Sequence, residues 1–199
     1  MPHISVPAAE LNTRLDRLRC AMTEKDPAWS MLLLDNTLDM YYCTGTMQDG
    51  ALVVTPDQAT LFVRRSFDVA KDESAFADIR PMGRFRGIKE VSPDIPETVY
   101  VAAKTMTLQK LSMLNKHLPF APKPMDGVLS ALRSVKSAYE LDCMRESGRL
   151  HRYVIEGLAP AFLREGVSEA RLCSEICTAI LDRGGMGISR HTQPPPTDG

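Results

Sequence analysis

The sequence predicts an α/β fold, a mixed sheet flanked by helices, followed by a segment of two helices. Three observations predict it. Short apolar runs alternate with stretches whose apolar residues recur every three or four positions, the pattern of strands interleaved with helices. Two of the runs, Ala51 to Thr55 and Ala59 to Arg64, are separated only by Pro56-Asp57-Gln58, the signature of an antiparallel hairpin. Beyond Ser137 the pattern becomes purely helical. Ser137 with Glu140 three residues later has the form of a capping box, in which hydroxyl and carboxylate each satisfy a backbone N–H at a helix start.

Leu11, Leu15, Leu18 and Met22 lie on one helical face, so residues from about Pro7 to Lys25 read as an amphipathic helix that ends at Asp26-Pro27. Trp29 to Leu34 suits a buried strand, and Asp35-Asn36 turns the chain. Tyr41 to Gly45 leads into a polar loop, Thr46 to Gly50, which enters the hairpin. Ser66 to Phe76 reads as a short helix capped by Ser66, and Ala77 to Met82 as a strand. A basic loop, Gly83-Arg84-Phe85-Arg86-Gly87, follows. Glu97 to Ala102 is a further strand, and Thr107 to Leu118, with Leu108, Leu111, Leu114 and Leu118, a further helix. Pro119, Pro122 and Pro124 argue against regular pairing in the descent to the junction.

After Ser137, Leu141, Met144, Gly148, His151, Ile155 and Leu158 define a face that a long helix to about Arg164 can bury, with a kink at Pro160. Gly166-Val167-Ser168-Glu169 stops that helix and starts another, which buries Leu172, Ile176 and Ile180 and halts at Gly184-Gly185. The expected division is therefore an α/β domain over residues 1–125, the start of a second domain over 126–190, and a disordered tail over 191–199 with three consecutive prolines.

Composition excludes several classes of function. Hydrophobic residues make up 44% and charged residues 25% of the 199, which is ordinary globular usage. A net charge of −1 disfavours nucleic acid and anionic membrane as partners. No apolar run reaches the length of a membrane span, and the first residues lack the pattern of a secretory signal. Cys20, Cys43, Cys143, Cys173 and Cys177 are odd in number and without framework spacing, which points to a reducing, cytoplasmic setting.

Taken in order, Tyr41-Tyr42-Cys43-Thr44-Gly45, then Gly50 to Asp57 with Ala59 to Arg64, Leu132-Arg133 through Lys136-Ser137, Glu140-Leu141 with Met144-Arg145, and Gly166-Val167-Ser168-Glu169 resemble the aminopeptidase P, prolidase and creatinase superfamily. The resemblance rests on the order and spacing of these motifs, since none is specific alone. It implies a creatinase-type amino-terminal α/β domain followed by the opening helices of a pita-bread domain. In that family the pita-bread domain holds two metal ions and cleaves an Xaa-Pro peptide bond. Its ligands, two aspartates, a histidine and two glutamates, follow the two helices seen here, and no position of this sequence matches them. The second domain is accordingly expected to be truncated, with no catalytic or metal-binding residue in this chain. Manganese, cobalt or zinc is implied only for a full-length relative.

By the same resemblance, the loop of one subunit can approach the active site of its partner, which makes Met47, Gln48 and Asp49 substrate-proximal residues in a complete dimer. A polar turn before a hairpin also needs no function. The expected role is the amino-terminal part of an Xaa-Pro peptidase-like metallohydrolase, inactive alone and serving in dimerisation or substrate-site capping. A homodimer or a full-length relative is its expected partner, with peptide substrate only in the complete enzyme. The alternative is a non-enzymatic interaction module or a truncated gene product without independent function.

Other candidates weigh towards structure. Cys173 and Cys177 are one helical turn apart and could ligate a soft metal or form a redox pair, but neighbouring Ile176 and Ile180 suggest burial. His151 lies on the apolar face and reads as packing, and His117 as a partner of a helix dipole. Gly184-Gly185-Met186-Gly187 does not follow a strand and open a helix, as a phosphate cradle would. Arg84 and Arg86 could bind a carboxylate or form an exposed basic loop. Glu146, Glu156, Glu165, Glu169, Glu175 and Asp182 read as solvated helix faces.

Overall fold

Three successive leucines, Leu32-Leu33-Leu34, form β1, and all three are buried. Strand side chains alternate between faces, so a strand buried throughout lies inside a sheet covered on both sides. The structure, a computed structural model, describes residues 5–83, 87–91 and 93–185. Arg84-Phe85-Arg86, Met186-Gly187-Ile188 and the tail from His191 lie outside the described residues.

The chain divides into two compact units, one spanning Pro2–Val135 and the other taken from Lys136 onward. In the first, β1 (Leu32–Leu34), β2 (Gly50–Val54), β3 (Ala59–Val63), β4 (Ile79–Pro81), β5 (Thr98–Val101) and β6 (Ala121–Pro124) form one mixed sheet in the order β4-β3-β2-β1-β5-β6. β1 pairs antiparallel with β2 and parallel with β5, Leu33 lying opposite Val53 on one side and Val101 on the other. The hairpin forms as expected, with Gly50 opposite Val63 and Val54 opposite Ala59.

The helices of this unit are α1 (Ala8–Lys25), α2 (Thr37–Thr44), α3 (Phe67–Glu73), α4 (Gly87–Val91), α5 (Leu108–Asn115) and α6 (Val128–Ser134). One core gathers Leu33, Val53, Phe62, Val99 and Val101 of the sheet with Ile88 of α4 and Leu114 of α5. The predicted stripe of α1, Leu11, Leu15, Leu18 and Met22, is buried, together with Arg14. That guanidinium donates to Glu10 at 2.8 Å and to the Tyr42 carbonyl at 3.0 Å, and lies over the Tyr42 ring. Just beyond α1, Asp26 accepts from Tyr100 of β5 at 2.7 Å and from Lys123 of β6 at 2.8 Å. These donations, Lys123 first, lower its carboxyl to about 2. The end of α1 is thereby tied to two neighbouring strands.

Several elements differ from the sequence expectation. β1 is shorter than Trp29 to Leu34. Residues 37–44 form α2 rather than part of a turn, because Asn36 accepts from the Asp39 N–H at 2.9 Å and Gly45, at φ 76°, closes the helix in the left-handed region. Ser66 precedes α3 but does not cap it with its side chain; it sits at φ 58°. α4 and α6 lie where no helix was expected.

The prolines of β6 do not prevent pairing. β6 is an edge strand parallel to β5, with Pro122 opposite Val99 and Pro124 opposite Val101. The donors are other residues: Ala121 N–H bonds Glu97 O at 2.6 Å and Met125 N–H bonds Val101 O at 3.0 Å. Proline is tolerated where its missing N–H faces away from the neighbour.

In the second unit, Ser137 and Glu140 complete the capping box that opens α7 (Ala138–Arg152). A π-helical segment, Tyr153–Leu158, then leads to α8 (Ala159–Phe162), with Pro160 in its first turn. Proline lacks the N–H that the preceding turn needs, and a widened turn absorbs the mismatch. Gly166 at φ 81° and the Ser168 cap start α9 (Glu169–Leu181) as expected. The buried face is not the expected one. Val154 and Ala159 are buried, whereas Leu141, Met144, Gly148, His151 and Ile155 are exposed and Leu172, Ile176 and Ile180 half-buried. α7 itself buries no side chain, and burial begins only in the π segment, at Val154.

Gly50 provides a direct test of the sheet. A Cβ at this position would lie 2.0 Å from the Phe62 carbonyl oxygen, a backbone atom that cannot move without breaking the hairpin. Gly50→Ala should lose about 3 kcal/mol in denaturant unfolding, at the upper end of ordinary overpacking. Gly83→Ala, which meets nothing within 4 Å, is the control and should be near neutral.

Candidate functional site

The stretch Thr44 to Asp49 connects α2 to β2 and is polar at nearly every position, yet Thr44 and Thr46 are buried. Buried hydroxyls need partners, and here they organise the loop. Thr44 Oγ1 donates to Met40 O at 2.7 Å and accepts from Thr46 N–H at 3.4 Å. Ser74, just after α3, donates its hydroxyl to Thr44 O. Thr46 Oγ1 donates to Glu73 Oε1, the last residue of α3, and accepts from the Gln48 N–H at 3.2 Å. Gln48 Nε2 donates to the same Glu73 oxygen at 3.1 Å. One carboxylate therefore holds two residues of the loop from an element 25 residues away in sequence.

The far end of the loop is held by charge. Arg64, directly after β3, donates to Asp49 in a forked pair at 2.6 to 2.9 Å, and its own N–H bonds Asp49 O at 2.8 Å. A planar guanidinium matches a carboxylate in this way. Arg64 holds the Asp49 carboxyl below its ordinary value. Between these anchors the Met47 side chain is 59% exposed.

The structure thus brings the three predicted residues together on one short loop, with the two polar side chains engaged and the apolar one presented. Asp49 is held ionised by Arg64, and the nearby Cys43 thiol, completely buried, is pushed up to about 12 and is no nucleophile. Among the described residues no group of three or more His, Cys, Asp or Glu side chains is placed to hold a metal ion.

Glu73 and Arg64 were not singled out by the sequence. Arg64 carries a signal, a charge at the strand end opposite Asp49 across the hairpin; Glu73 carries none. The remaining candidates are dispersed. His117 and His151 are exposed, and Gly184 lies at φ 81° after α9. The acidic residues expected on solvated faces largely do so, Glu146 pairing with Arg149 at 2.7 Å and Glu156 with Arg152 at 2.8 Å. Glu175 is bridged by Arg164 and Arg171, which lower its carboxyl. Among the described residues no helix is long and apolar enough to cross a membrane.

Residues 14–135 match the model of the Creatinase/Prolidase N-terminal domain. No curated protein matches the chain. Its fold is similar to that of the Xaa-Pro dipeptidase from Bacillus anthracis, with a TM-score of 0.78 and 20% identity over 89% of this chain and 50% of that one. It is also similar to dipeptidase PepE from Mycobacterium ulcerans, with a TM-score of 0.73 and 25% identity over 94% and 53% of the two chains. An Xaa-Pro aminopeptidase structure from Streptococcus pyogenes is covered completely by 64% of this chain, with a TM-score of 0.55 and 18% identity. This chain spans about half the length of the first two relatives.

The forked pair predicts a pH effect of definite sign. Asp49 is depressed in the fold, so its contribution to stability is present above its ordinary value of 3.8 and is lost as pH falls through the lowered one. Both partners are nearly half exposed, so solvent screening keeps that contribution small. In Arg64→Ala the Asp49 carboxyl, followed by carbon-13 NMR, should titrate upward towards its ordinary value. An unmoved titration would contradict the pairing.

Proposed function

This chain belongs to the Creatinase/Prolidase N-terminal domain family, and from that premise we propose that it serves as the capping and self-associating part of an Xaa-Pro peptidase-type assembly. In this role the loop holding Met47, Gln48 and Asp49 borders the substrate site of a partner subunit. The hydrolytic groups and their divalent metal, manganese, cobalt or zinc, belong to a catalytic unit of the complete enzyme. The setting is cytoplasmic, and the substrate is a peptide with proline after the scissile bond.

The observation that carries this reading is the loop itself. Glu73 fixes Thr46 and Gln48, Arg64 fixes Asp49, and Met47 is left 59% exposed between them. A contact loop held in place before its partner arrives gives up less conformational freedom on binding. A thioether suits the task, because it adapts to apolar surfaces of varied shape such as a proline ring. The likeness in fold to an Xaa-Pro dipeptidase and an Xaa-Pro aminopeptidase supports the substrate class.

A second reading, a non-enzymatic interaction module, is favoured by the second unit. Leu141, Met144, Ile155, Leu163 and Leu181 are all exposed there. Exposed apolar side chains that join into one contiguous patch would mark a surface that binds another protein.

Sedimentation equilibrium of the purified chain should give twice 22.1 kDa, and the same preparation should not cleave an Xaa-Pro dipeptide with manganese, cobalt or zinc. Photo-methionine at position 47 should then cross-link between subunits. A monomer at every concentration would contradict self-association, and metal-stimulated cleavage would overturn the division of labour. A dimer without a cross-link from position 47 would remove the loop from the interface.

A further inference from the structure

We infer that Cys173 and Cys177 on α9 form a two-thiolate site for a soft, thiophilic ion, Cu(I) being the ion of matching chemistry. The inference is independent of the role proposed for the loop. α9 is regular from Glu169 to Leu181 and is fixed at its start by the Ser168 cap. Residues four apart on such a helix lie one turn apart on the same face, so the backbone alone sets the two sulfurs side by side. Both cysteines are free, Cys173 exposed and Cys177 half-buried. The burial suggested by Ile176 and Ile180 is therefore not complete, and the pair can be reached from solvent.

The remaining cysteines differ in kind. Cys20 and Cys143 are exposed but have no second cysteine at helical spacing, and Cys43 is buried. On the same helix Glu169 lies one turn before Cys173, whereas Glu175 is engaged by Arg164 and Arg171. Desolvation and contact with Cys173 raise the Cys177 thiol above its ordinary value.

The ion follows from the donor set. Zinc prefers four ligands, and the described residues supply no cluster of three. Soft thiolates select Cu(I), a monovalent d10 ion content with two of them in line. Binding displaces one proton from each thiol, forms two copper–sulfur bonds and leaves a complex of charge −1. Copper enters as Cu(I), so no electron is transferred.

The reduced full chain is titrated with Cu(I) in competition with bicinchoninate, with copper stoichiometry, proton release and oligomeric mass recorded. One Cu(I) per chain, two protons released, and tighter retention as pH rises are expected. Cys173→Ser and Cys177→Ser should each weaken retention by roughly a hundredfold, the loss of a second ligand held at high effective concentration. The double variant Cys20→Ser/Cys143→Ser should behave as wild type. Circular dichroism of each variant establishes that α9 is intact. Retention undiminished in Cys173→Ser/Cys177→Ser, copper that bridges thiols of two chains, or no retention against the chelator would overturn the site.

Discussion

Burial of Leu32, Leu33 and Leu34 between an antiparallel and a parallel neighbour is the constraint on which the first unit depends. Each side chain taken out of water contributes about 1.5–3 kcal/mol, which adds to the ladders that join this three-residue strand to β2 and β5. With β1 fixed, β2 must lie against it in register, Leu34 opposite Leu52. β3 then approaches so closely at Gly50 that only glycine fits. The point where the loop from α2 enters the sheet is thus set by packing, not by the loop's own sequence.

From that entry point the loop is built of polar contacts that a short apolar core could not supply. Buried Thr44 and Thr46 need partners, and Glu73 and Ser74 at the end of α3 provide them. The arrangement couples three elements that are distant along the chain, α2, the hairpin and α3. An exposed methionine between two anchored ends is the feature of this fold on which the proposed capping role rests.

Much of the fold was legible where local rules decide structure. The hairpin followed from Pro56-Asp57-Gln58, the start of α7 from Ser137 and Glu140, and the turn into α9 from Gly166 and Ser168. What was missed depends on the tertiary environment. Tyr41-Tyr42-Cys43-Thr44 has modest helix propensity, and α2 forms because Asn36 caps it and its Met40, Tyr42 and Cys43 are buried. β6 contradicts the usual meaning of proline because alternate residues donate. The stripe expected to be buried on α7 is exposed, since that helix buries no residue, and the π turn that follows it cannot be read from a 3.6-residue period. Met47, Gln48 and Asp49 were singled out through resemblance and order along the chain; their partner Glu73 was invisible, since nothing in a sequence announces a hydrogen bond spanning 25 residues.

The central claim is that one carboxylate, Glu73, keeps the contact loop in a single conformation. Amide hydrogen exchange at Gln48, whose N–H donates to Thr46 Oγ1 at 3.2 Å, tests it most directly. In wild type this amide should be protected. In Glu73→Ala its exchange should accelerate by roughly tenfold, the equivalent of losing about 1.4 kcal/mol of charge-assisted hydrogen bonding, while Val53 in β2 stays unchanged. Equal exchange at Gln48 in the two proteins would contradict the account.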